Sequence, residues 1–377
     1  MSNWPGKYVI GLTGNIATGK SVVRKMLEHL GAYGIDADAL SHRAIAKGAP
    51  GYQKVIDTFG KWIVDGDGEI DRVKLGRLVF NDPEALQQLE IIVHPLVEQA
   101  VDLMIRRASQ RVIVIEAIKL LEGKLLGACD TVWTAYAPEP VQKVRLMQKR
   151  NLSEQDALQR IHAQSPQEVK TAAAHVIIQN IGSYENTWKQ VVAAWKVISP
   201  VMDTGPVLKH KSSDGELSIQ RGSPRDSVNI AALITRLSDG IHPQSQDDIM
   251  AAFGEKAFLL LKAEKSLVGL IGWQVENLVA RITDLYIDSG IPVERSLKIL
   301  ASEVERASRD LQCEACLFFL PSHATGQELV WQGLGYSRRT LQTLGVQAWR
   351  DAAIESQPPN TILLFKQLRQ DRVLRPI

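Results

Sequence analysis

The chain has 377 residues, which is long for one domain and ample for two. With 45% hydrophobic and 23% charged residues, its composition is that of an ordinary folded protein. A formal net charge of +2 gives no reason to expect binding to nucleic acid. No apolar run approaches the roughly 18 residues that a membrane-spanning helix needs. The first residues lead directly into an apolar run, leaving no room for a signal peptide, and three cysteines suit a reducing compartment, so we expect a cytoplasmic protein.

The first predicted strand, over residues 8–13, is followed by a glycine-rich segment and a helical pattern. Gly14, Gly19, Lys20 and Ser21 fit the spacing G-x-x-x-x-G-K-[S/T] of a phosphate-binding loop in its strand–loop–helix context. In such a loop, backbone N–H groups surround phosphate oxygens, the lysine reaches the β- and γ-phosphates, and the hydroxyl ligates Mg²⁺. A chance glycine turn is the alternative. The expected nucleotide contacts are Asn15, Ile16, Ala17, Thr18, Gly19, Lys20, Ser21 and Val22, with Ser21 as the metal ligand.

Two acids close the next predicted strand, over residues 32–38. Alternate residues of a strand share a face, so Asp36 and Asp38 should point the same way at the carboxyl edge of a parallel sheet, where open α/β folds bind ligands. A carboxylate there can accept a proton from an attacking hydroxyl or help to hold Mg²⁺. Alternatively, both acids cap the helix predicted over residues 39–47. Capping accounts for one acid and does not explain the pair.

Helical patterns follow over residues 51–59, 70–80 and 83–107, the last interrupted at His94-Pro95. Residues 111–116 form a near-continuous apolar run, as expected of a buried parallel strand, and Glu116 ends it where a Walker-B acid would stand.

A basic segment precedes the last predicted strand of this half, over residues 175–178. A strand over residues 130–136 leads into one helix from Pro138, which carries Arg145 and Arg150, and a second over residues 153–164. Two short basic helices in this place suggest a lid that closes over a nucleotide, where arginine would stabilise charge on a transferred phosphoryl group. A solvated basic helix face is the alternative.

Further motifs stand in a fixed order along residues 7–197, and together they resemble the dephospho-CoA kinase family. Besides the phosphate loop and the paired acids, they are Phe59-Gly60, Asp67-Gly68, Asp71-Arg72, His94-Pro95, Gln142, Arg145, Arg150, Gln164 and Asn180. The resemblance implies that ATP phosphorylates the ribose 3′-hydroxyl of dephospho-CoA, the last step of coenzyme A biosynthesis. It implies a P-loop kinase fold with a parallel sheet and a helical lid.

The family's site residues carry over position by position. Asp38 matches the proposed base, Lys20 and Ser21 match the contacts to phosphate and Mg²⁺, and Arg145 and Arg150 match the lid arginines. We expect the acceptor to contact Asp36, Asp38, His94 and Lys119.

Two departures from the family pattern concern the loop and the acceptor site. Ala17 and Val22 replace a usual glycine and threonine, and alanine is harmless there if its φ is negative. The family's Pro-Leu-Leu-x-Glu segment corresponds to residues 118–122, which we call the acceptor loop, and Ile118-Lys119 replaces its proline and first leucine. We expect this to change the geometry of the loop more than the reaction.

A second folded unit begins after residues 201–214, which are rich in Pro, Gly, Ser and Lys and are expected to be a linker. Strands predicted over residues 217–221, 257–262, 267–275 and 280–287, a helix over 293–311 and a strand over 316–320 resemble the GNAT acetyltransferase fold. The segment before the long helix, residues 288–296, lacks that family's glycine spacing for pyrophosphate, and Pro292 removes a donor N–H. We therefore expect a non-catalytic α+β module that binds or regulates.

The predicted organisation is a P-loop kinase domain over residues 1–200, a linker over 201–214 and a GNAT-like domain over 215–377. The expected partners are ATP with Mg²⁺ and dephospho-CoA, without nucleic acid or membrane, and the oligomeric state is left open. Two alternatives remain: a P-loop kinase for another small hydroxyl acceptor, and a sensor or scaffold that responds to coenzyme A.

Overall fold

The computed structural model describes residues 4–198, 217–264, 266–321, 328–371 and 373–374, and the predicted linker lies outside them. Two β-sheets organise the described chain, one in each half. Among the described residues, no helix combines the length and the apolar character that crossing a membrane requires.

The first sheet is parallel and belongs to the N-terminal half. Its strands are β1 (Tyr8–Thr13), β2 (Tyr33–Asp36), β3 (Val112–Glu116), β4 (Thr131–Tyr136) and β5 (Val176–Gln179). They lie in the order β2-β3-β1-β4-β5. Strand β3 is buried along its whole length, as expected for a parallel sheet that helices cover on both faces. The register pairs Glu116 with both Leu12 and Asp36, so the carboxyl ends of β1, β2 and β3 meet at one edge.

Nine described helices accompany this sheet: α1 (Lys20–His29), α2 (Ala37–Ala44), α3 (Tyr52–Phe59), α4 (Arg72–Asn81), α5 (Pro83–Arg107), α6 (Glu139–Arg150), α7 (Glu154–His162), α8 (Gln167–Ala172) and α9 (Tyr184–Ile198). Their starts follow local chemistry. The side chains of Asp71, Asp82 and Ser153 accept hydrogen bonds from the first-turn amides of α4, α5 and α7, and Pro83 occupies the first position of α5, where a missing N–H costs nothing.

Two sequence-based predictions about these helices are wrong. Helix α5 continues through His94-Pro95 without the predicted interruption. Proline removes one helical hydrogen bond, but Val93 and Val97 on the same helix are buried in the core, and that packing holds the helix together. The basic segment contains a third helix, α8, which the sequence pattern did not indicate because it is only six residues long.

The second sheet belongs to the C-terminal half. Its strands are β6 (Leu217–Arg221), β7 (Ala257–Ala263), β8 (Ser266–Glu276), β9 (Val279–Ile287), β10 (Ala315–Pro321), β11 (Ser337–Arg339) and β12 (Thr361–Gln367), in the order β11-β12-β10-β9-β8-β7-β6. Only β9 and β10 pair in parallel among these described strands. The helices of this half are α10 (Ser227–Leu237), α11 (Gln246–Ala252), α12 (Val293–Asp310), α13 (Glu328–Gly333) and α14 (Gln347–Ser356). The architecture is α+β.

The basic residues near the C-terminus lie on a strand and just beyond it. Lys366 lies in β12, where its ammonium donates to both carboxylate oxygens of Glu305 over 2.7 Å. Arg369 pairs with Asp371, whereas residues 372 and 375 lie outside the described chain. Cys313 and Cys316 are free and buried.

Candidate active site

The phosphate loop joins β1 to α1, in the strand–loop–helix order predicted. Lys20 is the first residue of α1, and its ammonium folds back to donate to Asn15 O over 3.3 Å. Gly19 precedes it with φ of +90°, and a Cβ there would come within 1.9 Å of the Asn180 side-chain nitrogen. That nitrogen donates to Thr18 O over 2.9 Å, so glycine is required for Asn180 to hold the loop.

Ala17 does not meet the condition of a negative φ under which alanine would be harmless in the loop. The structure gives φ of +59°, in the left-handed region. Alanine pays about 1 kcal/mol for this conformation, which glycine, the usual residue here, adopts freely. The Ala17 carbonyl accepts a hydrogen bond from Arg145 Nη1 over 3.1 Å. The lid arginine thus contacts the backbone at the one position where the loop is strained.

Ser21 is linked to a buried charged chain at the sheet edge. Its hydroxyl donates to Glu116 Oε1 over 2.8 Å, and the other carboxylate oxygen of Glu116 accepts from Arg24 Nε over 2.6 Å. Arg24 in turn pairs with Glu28 over 2.6 Å. Arg24 and Glu116 are both at most 5% exposed, so each buried charge is neutralised by the other. The prediction placed Glu116 correctly at the strand end and missed Arg24.

Asp38 does not lie in a strand beside Asp36, and that prediction is wrong. Strand β2 ends at Asp36, because the Asp36 carboxylate accepts from Ala39 N over 2.8 Å and caps α2. Asp38 lies in the first turn of α2, where its Oδ2 accepts from Ile118 N over 3.1 Å. The alternative reading, that an acid caps the helix, is right for Asp36. Asp38 is held instead by its hydrogen bond from Ile118 N in the acceptor loop.

The two acids and Lys20 form one electrostatic group. Burial raises the pKa of Asp38 to about 6, and the neighbouring charges of Asp36 and Glu116 also raise it, while Lys20 and the Ile118 N–H lower it. Burial lowers the pKa of Lys20, against the opposing effect of Glu116, Asp38 and Asp36. The acids are therefore close enough to the loop lysine for each to influence the charge of the other.

The predicted lid contacts the loop from α6 and from the segment after α7. Arg145 Nη2 donates to Asn180 O over 2.9 Å. Gln164 Oε1 accepts from Ile16 N over 2.7 Å, and Asn15 Nδ2 donates to Ser165 O over 2.9 Å. Arg150 is exposed at the end of α6, and its charge contributes to lowering the pKa of Lys20. Arg145 thus contacts the loop directly, whereas Arg150 is exposed to solvent and influences Lys20 only through its charge.

Lys119 and His94, the other predicted acceptor contacts, lie on an exposed surface. Lys119 Nζ pairs with Glu90 of α5 over 2.7 Å. His94 is one helical turn beyond Glu90, on the same face of α5, and is exposed. The pair with Glu90 thus connects Lys119 of the acceptor loop to α5.

Lys170 is a charged group of the pocket that the sequence analysis missed. It is 3% exposed on α8, and its carbonyl accepts from Thr134 Oγ1 over 3.1 Å. Burial and the charge of Lys20 lower its pKa to about 8, although Glu122 and Asp38 oppose the shift. A lone lysine in a short polar segment gives no sequence signal, which is why only the fold reveals it.

Within the described residues, no group of three or more His, Cys, Asp or Glu side chains could hold a metal by itself. The Ser21 hydroxyl and the Glu116 carboxylate are 2.8 Å apart beside Asp36. That donor set suits Mg²⁺, which takes one or two protein oxygens and completes its shell with water and substrate phosphate.

The family model described as dephospho-CoA kinase matches residues 8–186. The dephospho-CoA kinase of Carboxydothermus hydrogenoformans is 43% identical over 194 residues, which cover 50% of this chain and 94% of that protein. A crystal structure of TT1252 from Thermus thermophilus is 32% identical, with a TM-score of 0.46, and covers 51% of this chain and 97% of its own.

The chain is also similar to a solved structure of another kind of protein. The PaiA N-acetyltransferase from Thermoplasma acidophilum, in complex with coenzyme A, is 13% identical with a TM-score of 0.31. The match covers 40% of this chain and 98% of that one.

Proposed function

Because the chain belongs to the dephospho-CoA kinase family, we propose that its site transfers the γ-phosphoryl group of ATP to the ribose 3′-hydroxyl of dephospho-CoA with Asp38 as the base. The observation that carries this role is the placement of Asp38, held by Ile118 N and influenced by the charge of Lys20. A carboxylate with a pKa of about 6 is ionised at neutral pH and is more basic than an ordinary aspartate. It suits proton removal from a hydroxyl.

Charge on the transferred group would be balanced mainly by the loop. Lys20 and the backbone N–H groups at the start of α1 would face the β- and γ-phosphates. Ser21 and Glu116 would hold Mg²⁺, which neutralises phosphate charge when bound. Arg24, paired with Glu116, keeps that carboxylate in place.

The lid would exclude water and complete the charge balance. Arg145 already contacts the loop carbonyl of Ala17, so it lies where a triphosphate would pass. Arg150 has no such anchor among its described contacts and is free to move towards the phosphates when nucleotide binds.

Lys170 supplies a second ammonium in this pocket, and its replacement should have a measurable effect. We expect Lys170→Met to lower kcat about tenfold or more, because one cation fewer faces the charge that develops on the phosphoryl oxygens. Steady-state assays with ATP and dephospho-CoA check this. Lys189→Met, at an exposed lysine of α9, is the matched control and should retain the parent rate. Equal rates for both variants would remove Lys170 from the site.

The proposed base predicts the direction of the pH dependence. Asp38 must be ionised to accept a proton, so kcat/KM should be near its maximum at about pH 7 and fall towards tenfold per unit below the pKa of about 6. The measurement is kcat/KM for dephospho-CoA at saturating ATP, with the affinity for a non-hydrolysable ATP analogue followed over the same range. A flat profile down to pH 5 with unchanged nucleotide binding would contradict the assignment.

Acceptor specificity separates this proposal from the nearest alternative, a P-loop kinase for another small hydroxyl compound. We propose comparing phosphorylation of dephospho-CoA, AMP, adenosine and shikimate by the full chain at equal concentrations. Turnover of dephospho-CoA far above the others supports the proposal. Absence of that turnover, with good turnover of another acceptor, would favour the alternative.

We infer that the second domain is a non-catalytic module. We propose a kinase domain over residues 1–200, a linker over 201–214 and this module over 215–377. Pro292 directly precedes α12 without a side-chain cap, and Asp288 pairs with Arg236 over 2.7 Å and accepts from Gly290 N. These contacts occupy the segment where an acetyltransferase would present amides to pyrophosphate. Tyr336 packs edge-on against Phe318 and Trp331, which supports a structural role for that tyrosine.

A further inference from the structure

The turn between β8 and β9, residues 275–279, is part of the second sheet but packs on the first half of the chain; we call it the interdomain turn. Leu278 is 7% exposed and belongs to the same apolar cluster as Tyr33, Ile35 and Leu40, which come from β2 and α2. A second-domain side chain therefore completes the core beneath the segment that carries Asp36 and Asp38.

Arg43 ties the far end of α2 to the second domain. Its guanidinium donates to Asn277 O over 2.8 Å and to Glu314 Oε1 over 2.6 Å. Glu314 is 1% exposed and Arg43 is 9% exposed, so this is a buried ion pair between the two halves. Asp38 is in the first turn of the same eight-residue helix. The helix is thus held at one end by the acceptor loop and at the other by the second domain.

A second chain of contacts leads from the interdomain turn to the phosphate loop. Lys25 Nζ donates to Val275 O over 2.8 Å and pairs with Glu28 over 3.1 Å. Glu28 pairs with Arg24, and Arg24 pairs with Glu116, which accepts from the Ser21 hydroxyl. Each link is a charge-assisted hydrogen bond of short length, which is the strong kind.

Little space separates the interdomain turn from the acids. A cavity of about 40 Å³ lies there, lined from the first half by Arg24, Asp36 and Ala39 and from the second by Glu276 and Asn277. A cavity of this size holds about one or two water molecules. A displacement of the turn would therefore be felt by Asp36 and by the start of α2.

We propose that the second domain is a positioning part of the kinase site, because the interdomain turn and Glu314 fix, through Arg43, the helix that presents Asp38 to the acceptor. Arg43 is a positioning residue in this scheme and does not touch substrate. The inference rests on the proposed role of Asp38. It assigns to the second domain a task that needs no ligand of its own.

The test is a pair of substitutions in the full chain. Removing one partner alone would leave a buried unpaired charge, so Arg43 and Glu314 are replaced together, as Arg43→Met/Glu314→Met. We expect kcat to fall by roughly ten- to a hundredfold, since misplacing a catalytic group by about 1 Å has effects of this size. The KM for ATP should stay within about twofold, because the double substitution leaves the contacts from Lys25 to Ser21 in place. Arg43→Lys, which keeps the ion pair, should retain more activity than the double variant.

The control is Asp351→Asn, which breaks an exposed ion pair between the two halves, Arg72 with Asp351 at 3.3 Å. It should leave kcat within about twofold of the parent. If the double variant does not fold, as judged by circular dichroism and thermal unfolding, Leu278→Ala takes its place with the same expected loss of kcat.

A parent-like kcat in a folded double variant, or in Leu278→Ala, would overturn the inference. A loss of kcat matched by an equal loss of ATP affinity would also overturn it, because it would indicate general disruption. Asp38→Asn, assayed alongside, separates a failure of the proposed base from a failure of the role proposed for the second domain. If that variant is fully active the proposed base is wrong, whereas an inactive Asp38→Asn with an active double variant contradicts only the role of the second domain.

Discussion

Asp38→Asn should lower kcat by about a hundredfold or more while leaving ATP affinity within about twofold, because the amide cannot accept the hydroxyl proton. Asparagine keeps the size of the side chain and an oxygen that can accept from Ile118 N, so the start of α2 should be preserved. Steady-state kinetics and titration with a non-hydrolysable ATP analogue are the measurements.

Asp57→Asn is the matched control for this substitution, since Asp57 is an exposed aspartate on α3. It should retain the parent rate. An Asp38→Asn variant with parent-like kcat would remove Asp38 from the role of base. The remaining carboxylates at that edge, Asp36 and Glu116, would then be the ones to test.

Lys20→Met should lower kcat by about a hundred- to a thousandfold and also weaken ATP binding. The reason is that the loop loses the buried ammonium that folds back over it to Asn15 O. The effect differs in kind from that of Asp38→Asn, in which nucleotide affinity is kept. Lys20→Arg is the informative companion, since it keeps the charge and changes the shape. Unchanged ATP affinity in Lys20→Met would contradict the placement of the triphosphate.

The phosphate loop was predictable because its chemistry demands a fixed spacing in a fixed context. Gly19, Lys20 and Ser21 take the predicted places between β1 and α1. The sheet was predictable for a related reason, since near-continuous apolar runs such as β3 indicate strands buried on both faces. These features are local, and local patterns are visible in one sequence.

Asp38 shows where local reading failed. Period-two alternation placed it on a strand with Asp36, but Asp36 ends the strand by capping α2. Either acid could have been the cap, and the pattern alone does not distinguish them. The sequence also left the φ of Ala17 open, because an alanine gives no sign that its surroundings impose a left-handed conformation.

Contacts between distant segments were beyond a single sequence. In the sequence, Arg24, Lys170 and Arg43 look like ordinary helical cations. The fold places Arg24 against Glu116, Lys170 near Lys20 and Arg43 against Glu314. The pairing of Arg43 with Glu314 spans 271 positions in the chain, and no periodicity connects the two.

Phosphorus NMR of the product that the full chain makes from ATP and dephospho-CoA is the most direct test of the proposed activity. Coenzyme A, whose 3′ position is already phosphorylated, is the control acceptor. The expected result is one new phosphomonoester at the ribose 3′ position, formed with an equal amount of ADP, and no transfer to coenzyme A. Hydrolysis of ATP without transfer, or phosphate at another position of dephospho-CoA, would contradict it.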